Sequence, residues 1–164
     1  LMEDTQKDYQ EALDHLGFAA KLYQEQGDSN SLYDVLLFKA EIQEKRLKDY
    51  ERIEKTLNQM ATLFKNKEER FREAQFRLAN LYHSKLKDSS LERKAYEDFL
   101  KTYPNSKKAD EALFEAANLA KEAGEYDLAA NYLEKLIVNN PDSDYAGKAQ
   151  RQLNSLNKKI ARNK

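Results

Sequence analysis

The chain has 164 residues, 35% of them charged, with a formal net charge of −1 and a mean hydropathy of −0.94. That balance argues against a dedicated nucleic-acid or anionic-membrane binder, and the absence of cysteine excludes disulfides, thiol nucleophiles and thiolate metal sites. Ten Tyr and seven Phe exclude a chain unable to bury a core, while Val, Ile and Thr total only ten, too few to build a sheet.

Asp8-Tyr9 heads the first amphipathic run, which ends near Gln26-Gly27-Asp28. A second run covers residues 31–42, and after Lys48-Asp-Tyr50 a third covers 51–64. Residues 73–81 then read EAQFRLANL and residues 111–119 read EALFEAANL; six of nine positions agree, 38 residues apart. Ala40, Ala79 and Ala117 take the same place, where paired helices should approach closest and a Leu would overpack them.

Between the two copies lies a polar break at 87–90 and a run over 91–103 that stops at Pro104. After the second copy come Gly124-Glu-Tyr126 and a run over 127–140 that stops at Pro141. Tyr96, Phe99 and Leu100 match Leu133, Leu136 and Ile137, spaced three and four apart on one helical face. Ser106 and Ser143, two residues beyond each Pro, are predicted N-caps, and Ser89 with Glu92 spells a capping box. Residues 144–156 repeat the first helix of the unit with Arg151 and Asn154 replacing its Phe and Ala, the polar face of a terminal cap.

The unit is therefore a first-type helix, a short turn, a second-type helix and a stop, 37–39 residues long. Such a pair buries its apolar face only by stacking on neighbours. The predicted organisation is a single array: a half repeat at 1–30, full repeats at 31–67, 68–106 and 107–143, and a capping helix at 144–164. Because it opens on a second-type helix, the chain reads as a piece of something longer.

The pattern resembles the tetratricopeptide repeat family. The third repeat carries it best, with Leu113, Ala116, Ala117, Ala120, Gly124, Tyr126, Ala129, Leu133, Leu136 and Pro141. Leu78, Ala79, Tyr82, Tyr96, Phe99 and Pro104 follow it in the second repeat after one extra residue in the turn, and Ala40 and Leu57 in the first. The endings YPNSKKADEAL and NNPDSDYAGKA are similar to a bacterial envelope subtype, found in the outer-membrane assembly lipoprotein and the periplasmic protein accompanying the Tol-Pal system. The resemblance implies an all-α solenoid, a right-handed superhelix of antiparallel helix pairs. It also implies a location in the periplasm or at the outer membrane, with the cytoplasm as the alternative.

No catalytic constellation is present. His15 and His83 stand alone, phosphate loops and nucleophile elbows are missing, and the many carboxylates fit solvated helix faces. No cofactor, metal or enzymatic activity is expected. Lys148, Arg151, Lys158, Lys159, Arg162 and Lys164 make a basic tail without an acid or an aromatic, which suits a helix C-terminus better than nucleic acid. In the tetratricopeptide family the first-type helices line a groove, and its positions fall on Leu37 and Glu41, Phe76 and Asn80, Phe114 and Asn118, each pair one turn apart. These residues would take a protein or peptide segment, the rings as anchors and the amides as hydrogen-bonding groups; alternatively, both rings are core. The expected function is a non-catalytic scaffold, a module of a larger bacterial envelope protein, without membrane insertion. The alternatives are a structural array that self-associates through its N-terminal edge and an accessory domain of a larger enzyme.

Overall fold

A computed structural model describes residues 2–162; Leu1, Asn163 and Lys164, the last of the tail cations, lie outside the described residues. Those residues form helices and turns, with no strand among them. The helices are α1 (Met2–Gln26), α2 (Ser29–Ile42), α3 (Tyr50–Leu63), α4 (Glu68–Leu81), α5 (Ser89–Thr102), α6 (Asp110–Glu122), α7 (Tyr126–Asn139) and α8 (Ala146–Arg162). The fold is an all-α, tetratricopeptide-like helical repeat. The contacts divide into two compact units at Leu81/Tyr82.

In the N-terminal unit α1 packs on α2, α2 on α3, and α3 on α4. Leu13 and Ala20 of α1, Leu32, Leu36 and Ala40 of α2, Ile53, Leu57 and Met60 of α3, and Phe71, Ala74 and Leu78 of α4 are all buried. In the C-terminal unit α5, α6, α7 and α8 pack in sequence order. Their core is Tyr96 and Phe99, then Leu113, Ala116 and Ala117, then Leu133 and Leu136, then Leu153 and Leu156. Each buried Leu contributes about 1.5–3 kcal/mol. Ala40, Ala79 and Ala117 are no more than 2% exposed, as small residues at close helix approaches should be.

Polar ties between helices join residues about one repeat apart. Arg70 donates to the Ser29 carbonyl at 2.8 Å, Tyr132 to Glu97 at 2.8 Å, Arg93 to Glu125 at 2.6 Å, and Ser143 to Asp110 at 2.6 Å. The Arg70 guanidinium also lies over the rings of Tyr33 and Phe64, 4.6 and 5.3 Å from their centroids.

The turns that open α2, α3, α5 and α7 share one device: a left-handed residue, then an acid. Gly27-Asp28, Lys48-Asp49, Lys87-Asp88 and Gly124-Glu125 have φ of 72, 52, 55 and 80° at the first position. Asp28, Asp49 and Asp88 accept hydrogen bonds from the backbone of the helix they precede, satisfying donors the helix leaves open. Before Lys48 and Lys87, the chain passes through a π-helical turn, Gln43–Leu47 after α2 and Tyr82–Leu86 after α4. α6 has none and meets Gly124 directly. The extra turn residue of the second repeat is thus absorbed as one wide helical turn.

Two capping expectations are corrected. Asp88, rather than Ser89, caps α5, so Ser89 is already helical and Glu92 lies one position too deep to close a capping box. Ser106 and Ser143 do not cap α6 or α8. Their hydroxyls accept from the Lys108 and Tyr145 amides, closing a turn that precedes each helix, because an extra turn separates the Pro stop from the helix start.

Candidate functional site

In the N-terminal unit, α2 supplies Leu37 and Glu41 and α4 supplies Phe76 and Asn80. Leu37, Glu41 and Phe76 are part-exposed and Asn80 is exposed. Arg77 ties the two helices: its guanidinium lies 2.7 Å from Glu73 and 3.8 Å from Glu41. Lys45 adds a second cation 3.6 Å from Glu41, so that carboxylate is compensated from both sides. Arg72 sits 5.5 Å from the Phe76 ring centroid, within cation–π range.

In the C-terminal unit, α6 supplies Phe114 and Asn118, both part-exposed. The Phe114 ring leans on Tyr145, with centroids 5.0 Å apart and planes at 41°, and Lys148 lies 5.6 Å from the Tyr145 centroid. Asn118 accepts from Gln152 of α8 at 2.7 Å and donates to Glu115 at 3.3 Å. Its amide is therefore partly used in docking the last helix, a role that sequence spacing did not signal. The rings of Phe76 and Phe114 are neither fully buried nor free-standing.

Two further residues of this unit have surroundings that the sequence did not signal. Glu92, only 7% exposed, meets His83 Nδ1 at 3.1 Å, while the His83 ring stands in solvent. Burial pushes the Glu92 carboxyl up; the hydrogen bond and charge of His83 oppose this, and Glu115 and Glu122 add to it. Tyr145 has its phenol raised by burial and by Glu111 and Glu115. The same carboxylates, with Glu92, surround the buried Tyr96, whose phenol burial raises far above its usual range.

Elsewhere a cleft of about 620 Å³ lies at the turns before α2 and α4, lined by Gly27–Asn30 and Lys67–Arg70. A polar cleft of about 330 Å³ is floored by the buried pair Gln43 and Thr56, bonded at 2.9 Å. Neither is lined by the six groove candidates. Among the described residues no group of His, Asp or Glu is placed to hold a metal, and no helix is long and apolar enough to cross a membrane. No curated protein matches the chain. The family model YfiO, described as an outer membrane lipoprotein, matches residues 30–164.

Proposed function

We propose, because the chain belongs to the YfiO family of outer membrane lipoproteins, that it is a non-catalytic scaffold holding a segment of a partner protein at the periplasmic face of the outer membrane. The observation that carries this reading is the part-exposure of Phe76 and Phe114, each one turn before an Asn on a first-type helix. Large rings left partly exposed gain by burial against a ligand, at about 25 cal/mol per Å². Asn80, Asn118 and Glu41 supply polar groups for a peptide backbone, and Leu37 extends the apolar row within the N-terminal unit. Each unit presents its own candidate surface.

Crosslinking with the chain as bait identifies the partner, whose affinity is then measured against two double variants. Phe76→Ala with Phe114→Ala should weaken binding at least about tenfold, through lost burial. Asn80→Ala with Asn118→Ala should cost about 0.5–1.5 kcal/mol per lost hydrogen bond, with a small fall in thermal midpoint from the Gln152 contact. Unchanged affinity in the Phe variant, together with a lower midpoint, would show that the rings are core and sink the reading.

A further inference from the structure

Along the exposed face of α1 run Glu11, Asp14, Phe18, Leu22 and Glu25, with Phe18 72% and Leu22 41% exposed. Along the exposed face of α8 run Lys148, Arg151, Ser155, Lys158 and Arg162, at alternating spacings of three and four, in a helix that contains no acid. The opposite face of α8 is committed: Ala149, Leu153 and Leu156 are buried, and α8 packs on α7. Glu11, Phe18 and Glu25 stand seven residues apart, as do Lys148, Ser155 and Arg162.

We propose that α1 of one copy pairs antiparallel with α8 of a second copy. In that register Glu11 meets Arg162 and Glu25 meets Lys148. Asp14 and His15 flank Lys158, Phe18 covers the small Ser155, and Leu22 lies on the aliphatic stem of Arg151. The α1 cations stay clear, Lys21 beside Gln152 and Lys7 past Arg162. Charge complementarity selects this occupant. The exposed residues of α8 include no aromatic and no large apolar side chain, so they offer nothing to enter an acyl boundary or to stack on bases. Because the two patches differ, the contact is heterologous, and each copy offers both an α1 and an α8 stripe to its neighbours.

Sedimentation equilibrium over a concentration series tests it. At about 0.01 M salt the average mass should climb with concentration to that of a dimer or beyond, and at about 1 M salt the association should weaken at least about tenfold. The triple variants K148E/R151E/K158E and E11K/D14K/E25K should each be monomeric alone, with unchanged helical circular dichroism. Their equimolar mixture should associate again, since each then offers the other a complementary stripe. A wild-type monomer at every concentration, association that survives in either triple variant alone, or a mixture that stays monomeric would overturn the proposal.

Discussion

Glu92 is held almost out of water on α5, with the exposed imidazole of His83 against one oxygen. A carboxyl whose folded pKa is raised above its unfolded value stabilises the protein while protonated. That contribution is complete below about pH 4.3 and is lost as pH rises through the raised folded pKa. Near neutrality Glu92 therefore weakens the C-terminal unit, and Glu92→Gln, which keeps a polar group beside His83, should raise the thermal midpoint at pH 7. The gain should shrink toward pH 4, where the native residue is neutral as well. Equal gains at both pH values would mean that the carboxylate charge is not the cause. At this scale the sequence was least legible. Glu92 read as one half of a capping box because the spacing from Ser89 was right, and only the position of Asp88 shows why it is not. Asn118 read as a free amide because its partner, Gln152, lies 34 residues away.

The helices themselves were legible, since apolar spacings of three and four, two Pro stops and a scarcity of β-branched residues all point one way. What could not be read was how the first two full units end their first helix. One additional residue in each turn could have lengthened a loop; instead it widens the helix into the π-helical turns at Gln43–Leu47 and Tyr82–Leu86. The chain then bends through Lys48 and Lys87, with φ of 52 and 55°, at places where the other two turns use Gly27 and Gly124. A side chain in that region costs about 1–2 kcal/mol, partly offset by the greater freedom a glycine has when unfolded. Lys48→Gly and Lys87→Gly should each stabilise by about 0.5–1 kcal/mol, read as higher midpoints in urea. A loss in both would show that the lysine stems contribute packing that outweighs the strain.

Over the whole chain, stability is a sum of neighbour contacts, so the two ends are unequal. Removing 144–164 strips α8 from the fully buried Leu133 and Leu136 and takes Tyr145 from Phe114 and Gln152 from Asn118. That truncation should aggregate or lose its last helices. Removing 1–27 takes a helix that already shows Phe18 and Leu22 to water, and it leaves α2 seated on α3, so the loss should be milder. Soluble yield and thermal midpoint, measured side by side, decide; equal or reversed outcomes would contradict neighbour-wise stability. The ties between helices carry a mechanical consequence as well. Those joining Arg70 to Ser29, Tyr132 to Glu97, Arg93 to Glu125 and Ser143 to Asp110 span only 32 to 41 residues. A load applied through the two termini would meet the Arg70–Ser29 tie as one element and the other three, whose spans 93–125, 97–132 and 110–143 overlap, as a second shared one. The chain would then yield in instalments of about 130–180 Å of extended polypeptide. Each instalment would absorb work while the repeats not yet opened kept their fold.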